Sequence, residues 1–359
     1  MRIGVLTHHH IDNEGAVLQA YAQAKMLQAS FPKAEVEIVD LWIKSYSKMK
    51  KSRRGIFLAF QRDHLPLSSR RLISDDYEES VRFVKGLGYD MLVVGSDEVW
   101  KLEWGKWGKS FPNIYWLSPR LPGRKIAMST SANLLHYKNR PPDQLAWMKK
   151  LLNGFDLLGA RDNHTLEFLR HIGVPFDKVT KTCDPAIAYT FPEIDLSKKL
   201  SSLGLDLAKP VLGIRIPNSR QSLIAEDCRK FKAKGYQIVS FMHKSDLADF
   251  YLGTSLNPLE WANVFRYLDF CISNSYHSLI FSLKNGVPIR VVDFDESYTS
   301  LESKTHDLLR DMGMLYCYGS PESILEQFKV IPESLERLKG TYEEFLLQVK
   351  DLIHGGDAS

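Results

Sequence analysis

The feature that most restricts what this chain can fold into is a repeated alternation of short apolar runs with longer segments of helical periodicity. "RIGVLT" leads into "EGAVLQAYAQAKML" and then "VEIVDL"; later come "YDMLVVGSD", "KIAMST", a helical stretch after "RPPDQLAWMKKLL", and "FDLLGAR". This alternation predicts a parallel sheet with covering helices. A short run, "VTKTC", reaches Asp184 and Pro185, and "PEIDLSKKLSSLGLDLAKP" reads as a polar connector. From Val211 the pattern restarts: "VLGIRIP" as a strand, "SRQSLIAEDCRKFKAKG" as a helix, then "YQIVSFM", "DFCISNS" and "PIRVVDF" as strands. Asn257, Pro258 and Glu260 form a helix-start signal with a capping box. Two amphipathic helices are expected between Pro321 and Ile353. The fold class is therefore α/β, with two Rossmann-like parallel-sheet domains facing across a cleft, a common place for ligands.

Composition narrows the function classes. The net charge of +4 is well short of the basic excess of a dedicated nucleic-acid binder. The four cysteines, Cys183, Cys228, Cys271 and Cys317, are scattered without a C-x-x-C pair and read as buried free thiols. "MRIGVLTHHH" has no apolar core of a signal peptide. No apolar run approaches the roughly 20 residues that cross a bilayer, so a cytoplasmic setting is expected.

The strongest local constellation is "SNSYHSLIFSLKNGVP", where a strand ends and a helix begins. Ser275 can cap that helix, Tyr276 and His277 follow, and the free N–H groups of the helix suit an anion. A histidine there can exchange protons near neutral pH, or be a packed side chain beside a cap. Arg161, in "GARDN", ends a strand, placed to fork onto a carboxylate or phosphate or to pair with Asp162. Arg215 in "GIRIPN" holds the equivalent place in the second half. In "VVGSDEVW", Ser96, Asp97 and Trp100 follow a buried strand; Asp97 suits sugar hydroxyls or a helix cap, and Trp100 suits the face of a pyranose. "HHHIDNEGA" puts His10, Asn13 and Gly15 at the first strand-to-helix turn. Three consecutive histidines point in different directions, so no metal site is read there. Neither G-x-G-x-x-G nor a P-loop is present. The segment 44–71, with a basic run and "IFLAF", reads as a solvated loop or as a surface for anionic lipid.

Taken together, these pieces resemble the polysaccharide pyruvyl transferase family over most of the chain. "HIDNEGAVLQAYAQ", "YDMLVVGSDEVW", "KIAMSTSAN" with Ser131, "GARDN", "CDPAIAY" and "SNSYHSLIFSLKNGVPI" are similar to the family's elements and come in its order. The resemblance implies a GT-B-like fold and transfer of a pyruvyl group from phosphoenolpyruvate to two sugar hydroxyls, closing a cyclic ketal. It places the family's histidine on His277, as the catalytic acid/base, and its arginine on Arg161. Ser275 stands where some relatives carry arginine, so that donor clamp is either missing or replaced by Arg215 or Lys304. The implied donor set is Arg161, Ser275, Tyr276, Arg215 and Lys304; the acceptor set is His10, Asn13, Gly15, Ser96, Asp97, Trp100 and Ser131. Glu14, Ala132 and Asn133 depart from the family pattern on the acceptor side. Residues 1–190 are expected as the acceptor domain, 207–320 as the donor domain, and 321–359 as C-terminal helices. No cofactor beyond the donor phosphoenolpyruvate, no metal and no nucleic acid are expected. The acceptor would be a sugar in a polysaccharide or lipid-linked glycan of the cell envelope, met in the cytoplasm or at the inner membrane face. The alternatives are a GT-B glycosyltransferase using a nucleotide sugar, with Asp293 and Asp295 for the ribose, and a non-catalytic glycan binder.

Overall fold

The computed structural model describes residues 1–44, 53–102, 111–133, 135–242, 244–293, 303–330 and 332–354. In chain order the first half runs β1 (Arg2–Leu6), α1 (Glu14–Ser30), β2 (Glu35–Trp42), α2 (Arg54–His64), β3 (Leu67–Ile73), α3 (Tyr77–Lys85), β4 (Met91–Val94), β5 (Arg124–Thr130), α4 (Pro142–Asn153), β6 (Leu157–Ala160), α5 (Asn163–His171), β7 (Val179–Lys181) and α6 (Pro185–Ala188). Its seven strands are parallel in the order β3-β2-β1-β4-β5-β6-β7. After α7 (Ser197–Ser202) come β8 (Val211–Arg215), α8 (Ala225–Ala233), β9 (Gln237–Ser240), β10 (Phe250–Tyr251), α9 (Pro258–Val264), β11 (Phe270–Ser273), α10 (Tyr276–Lys284) and β12 (Ile289–Val291). These five strands are parallel too, in the order β10-β9-β8-β11-β12. α11 (Lys304–Asp311), α12 (Pro321–Gln327) and α13 (Pro332–His354) follow.

Both sheets are doubly wound, so each has a place where strand order reverses: between β1 and β4, and between β8 and β11. Loops leaving neighbouring strands diverge there and open a crevice at the carboxyl ends. Those ends carry His8–Asn13 and Ser96–Asp97 on one sheet, and Arg215 and Asn274–His277 on the other. The two sets of loops touch here, Gly15 against His277 and Glu14 beside Arg215.

α1 shows why the lobes meet. Its run of small and apolar residues is buried almost all round, including Val17, Leu18, Ala20, Ala24 and the fully buried Gln19 and Gln23. A helix buried on every face lies between layers rather than on a surface; α1 contacts α6 and α9 as well as its own sheet. α9 begins with the capping box expected at Asn257 and Glu260. The last helix, α13, returns to the first sheet. Tyr342 donates to Met128 Sδ at 3.2 Å, Cys183 N donates to Thr341 Oγ1 at 3.0 Å, and Phe345 packs where a Cβ on Gly159 would stand. All four cysteines are free and buried.

The segment 44–71 differs from the loop expected of it, although residues 45–52 lie outside the described residues. "IFLAF" falls on α2, with Phe57 and Phe60 packed in the core. Leu58 is the large apolar side chain that α2 leaves exposed, so the aromatic rings are not offered to a lipid surface. β3 was hidden from the sequence reading because it is an edge strand rich in serine and arginine, the kind of polar edge that discourages pairing with other chains.

Candidate functional site

His277 lies in the first turn of α10, capped by Ser275, whose hydroxyl accepts from Ser278 N at 3.5 Å. The imidazole is buried against α1: a Cβ built on Gly15 would come within 2.6 Å of its Cε1, and closer still to Nδ1 and Cγ. Gly15 therefore acts by having no side chain, since anything larger would collide with the ring. On the other side, His277 Nε2 is 3.7 Å from Asp184 Oδ2 and has no hydrogen-bond partner.

Asp184 is the residue around which the site is organised. It follows β7, caps α6 through Ala186 N at 2.8 Å, and accepts from Arg161 Nη1 at 2.7 Å. Burial opposes its ionisation, but the contact with His277 and the charge of Arg161 hold its carboxyl well below the usual range. Arg161 also donates from Nη1 to Gln19 at 3.3 Å, and Nη2 stands 3.8 Å from Asp97. Its guanidinium lies 5.2 Å from the centre of the Tyr276 ring. Nε and Nη2 are buried without a hydrogen-bond partner, a costly state that an incoming oxyanion would relieve. Asp162 is not Arg161's partner; it caps α5 through Thr165 N at 2.8 Å and accepts from Ser131.

A second cation approaches from the other lobe. Arg215, at the end of β8, donates to Ser275 Oγ, and its Nη2 is 3.6 Å from Glu14. It occupies the neighbourhood of Ser275, as the cation wanted there would. Burial lowers its pKa, partly offset by Glu14. Glu14 is itself buried and takes Arg53 on its other oxygen, so Arg53, Glu14 and Arg215 bridge the lobes. Lys304, at the start of α11, donates to Glu98 at 2.5 Å and sits 5.1 Å from the centre of the Tyr276 ring. Glu98 is held well below its usual range; Lys304 and Lys101 overcome the effect of burial.

The structure brings His277, Arg161, Ser275, Tyr276, Arg215, Lys304, Gly15 and Asp97 together, and treats the remaining acceptor residues differently. Trp100 is fully buried: its indole donates to Tyr115 O at 3.1 Å and it packs on Trp116 and Phe155, so no pyranose face reaches it. Ser131 is buried and donates to Asp162 at 2.5 Å. Ser96 is buried, and its N–H donates to Gln23 at 2.7 Å. His10 is stacked on Trp42 and accepts from Ile43 N at 3.2 Å. Asn13 caps α1 through Ala16 N at 3.2 Å. These residues shape the loops rather than line an open surface. Asp97 remains beside Arg161, with φ 88°, a conformation that an L-residue rarely adopts. Burial opposes its ionisation, but His8, Arg161 and Lys304 lower its pKa. The three histidines diverge: His8 meets Tyr115, His9 meets Asp40 at 3.2 Å, and His10 meets Trp42.

Asp184, Glu14, Gln19, Arg53 and Glu98 were not singled out as site residues from sequence. Asp184 had a signal, a helix-capping Asp before Pro185 just past a strand. The others are drawn in by packing between lobes.

Next to this cluster lies a cavity of about 450 Å³, lined by Arg161, Tyr276 and Lys304 and by the ends of β7, α11 and α13. Asp293, considered for a ribose, instead accepts from Tyr318 at 2.8 Å and Ser303 at 3.2 Å. Asp295 lies outside the described residues. No helix among the described residues is long and apolar enough to cross a membrane.

Solved structures similar to this one share its two-lobed GT-B arrangement. A UDP-GlcNAc 2-epimerase from Methanocaldococcus jannaschii matches with a TM-score of 0.59 at 10% identity, covering 98% of this chain and 100% of that one. A UDP co-structure of MnaA from S. aureus matches at 0.56 and 11% identity, covering 95% and 90%. The wall teichoic acid polymerase TagF matches at 0.51 and 12%, covering 99% and 88%. At such identities the likeness shows the fold alone. No curated protein matches the sequence. A family model described as polysaccharide pyruvyl transferase matches residues 13–296, from the Asn13 cap through β12 and so across both halves of the site. By that match, the chain belongs to the polysaccharide pyruvyl transferase family.

Proposed function

We propose that this transferase moves a pyruvyl group from phosphoenolpyruvate to two hydroxyls of a sugar in a polysaccharide or lipid-linked glycan. The observation that carries the reading is the meeting of the two sheet switch points at His277, with Arg161 and Arg215 on either side. A small ligand bearing a carboxylate and a phosphate needs several fixed cationic donors in a confined place. Arg161 supplies its unpartnered Nε and Nη2, Arg215 its unpartnered Nε, and the first turn of α10 its backbone N–H groups.

The chemistry balances as follows. A proton added to the methylene carbon of the donor leaves C2 electron-poor, and one sugar hydroxyl attacks it. The C2–O bond to phosphate breaks, and the second hydroxyl closes the ketal. Of the two hydroxyl protons, one replaces the proton spent on the methyl group and the other leaves with inorganic phosphate. His277 carries protons between the attacking hydroxyl and the leaving phosphate. Asp184, 3.7 Å from Nε2, stands where it can position the ring of His277. Arg161 and Arg215 stabilise the charge that grows on the departing phosphate.

Calorimetric titration of phosphoenolpyruvate, beside UDP- and GDP-sugars, tests the donor. Phosphoenolpyruvate should bind, and Arg161→Ala should abolish binding, with Arg161→Lys as a variant that keeps the charge next to Asp184. With an acceptor present, His277→Ala should lower the rate by about 10²–10⁴-fold. Binding of a nucleotide sugar alone would leave the fold standing and move the chemistry to glycosyl transfer. Activity of His277→Ala within a few-fold of wild type would remove that residue from the reaction.

A further inference from the structure

A second cavity lies away from the donor site, where α2 packs on the edge strand β3, and it shares no lining residue with the cluster around Asp184 and His277. Its volume of about 430 Å³ falls within the roughly 300–1,000 Å³ of small-molecule sites. β3 forms one wall by bulging: Ile38 of β2 pairs with Leu67 and Asp40 with Arg71, so Ser68, Ser69 and Arg70 stand against Val39 alone. α2 forms the other wall with Leu58, Gln61 and Arg62. We propose that this cavity binds an uncharged sugar unit, apart from the reacting site.

The observation that carries the proposal is Gln61. It lines the cavity, is 3% exposed, and its Oε1 has no hydrogen-bond partner. A buried amide is normally satisfied. Donors in the same lining are committed elsewhere: Arg71 Nε donates to Asp40 Oδ2 at 2.7 Å, and the Ser68 hydroxyl donates to the Arg70 carbonyl at 2.9 Å. One end of the amide accepts and the other donates, and a half-turn exchanges them. A hydroxyl, which also does both, is its match.

Arg71 adds a fixed donor. Asp40 holds its Nε, and its guanidinium lies 4.5 Å from the centre of the Trp42 ring. Asp40 is fixed in turn by Trp42 Nε1 at 2.6 Å and meets His9 Nε2 at 3.2 Å. Nη1 and Nη2 of Arg71 have no partner among the described residues and suit ring or hydroxyl oxygens. Leu58, Leu65 and Leu67 give an apolar wall for the C–H face of a ring. Charge decides that the ligand is neutral. Asp40 balances Arg71, and Asp63 takes Arg62 at 2.7 and 3.0 Å, so no cation is in excess for a phosphate or carboxylate.

The sugar has two sources, a unit of a glycan chain or a free sugar. Through Asp40 and His9 the cavity is joined to the loop that runs on to Asn13 and Gly15, which favours a chain that also reaches the site. That this chain is the acceptor rests on the pyruvyl-transfer reading; affinity for a neutral sugar does not.

Saturation-transfer NMR on the full chain tests this, with methyl glycosides of glucose, galactose and mannose, then cellotriose and maltotriose, and inorganic phosphate as the charged control. Wild type should bind at least one neutral sugar at millimolar concentration. Gln61→Leu, which removes the amide and keeps the bulk, should weaken it about 2–10-fold, and its urea midpoint should hold because no bond is lost. Ser69→Trp, placed on the exposed bulge outside the core, should block binding. A trisaccharide preferred to its monosaccharide marks a glycan chain as the source; equal binding marks a free sugar. No sugar binding to wild type, binding indifferent to both variants, or displacement of the sugar by inorganic phosphate overturns the inference. Failure of the pyruvyl-transfer reading would look different: phosphoenolpyruvate would not bind, while the sugar signal and its dependence on Gln61 would persist.

Discussion

Gly15→Ala separates what helix propensity expects from what the structure expects. Gly15 lies in the first turn of α1, with nothing in its backbone to demand glycine. Propensity alone would have alanine stabilise such a helix by about 1 kcal/mol. The structure gives the opposite sign. The new Cβ would lie within 2.6 Å of Cε1 of His277, whereas non-bonded carbons rest at about 3.5–4.0 Å. Ring or helix must retreat by roughly 1 Å, and the ring is confined by Asp184 on its far side. Overpacking of this kind costs about 1–3 kcal/mol, so the net change should be a loss of up to about 2 kcal/mol once the propensity gain is subtracted. The effect on function should be larger in proportion, because a displacement of about 1 Å in a reacting group can cost about 10²-fold. Urea unfolding followed by fluorescence measures the first quantity, and phosphate release from phosphoenolpyruvate in the presence of acceptor measures the second. Stabilisation by about 1 kcal/mol with unchanged turnover would refute the reasoning, because the lobes would then not meet at Gly15 and His277.

Acid should weaken the fold through the site itself. Asp184, Glu98, Asp97 and Asp40 are all held below their ordinary pKa values, so their contribution is full above about pH 4 and is lost as pH falls towards their folded values. Urea midpoints between pH 6 and 3 should fall, and Asp184→Asn should flatten that limb; an unchanged limb would mean that Asp184 is not ionised in the fold. Lys284 donates to the carbonyls of Ala186, Ile187 and Tyr189, and burial pushes its pKa from 10.5 down to about 8. The unfolded chain binds the extra proton between those values, so wild type should gain stability relative to Lys284→Met from pH 8 to 10.5, by no more than about 3 kcal/mol. A difference independent of pH would refute it. Trp100→Ala should cost about 3–5 kcal/mol in urea, as an emptied core site does; a sugar-binding defect without loss of stability would restore the stacking role.

The local elements were legible in the sequence because they are written in neighbouring residues. The two series of alternating strands and helices, the capping box at Asn257–Glu260, and the Ser275 cap beside His277 all depend on spacings of a few residues. Arg161 and Arg215 could be placed at strand ends for the same reason, since parallel strands send their carboxyl-terminal residues to one edge. What those side chains touch was not legible. Arg161 had an acid next to it in Asp162, yet it pairs with Asp184, because Asp162 turns back to cap its own helix. Trp100 looked like a platform for a sugar and is core, because burial depends on the layers that close over a loop.

By itself, the sequence determined two series of parallel strands with covering helices and which residues stand at the strand ends, because strand and helix periodicity and capping are local. Only the tertiary structure decided that Gly15 receives the ring of His277, that Glu14 joins Arg53 to Arg215, and that Lys304 crosses to Glu98. Each of those pairs joins segments far apart in the chain, and the contacts between the lobes follow from how α1 packs on α6 and α9 and α11 on α5 and α10.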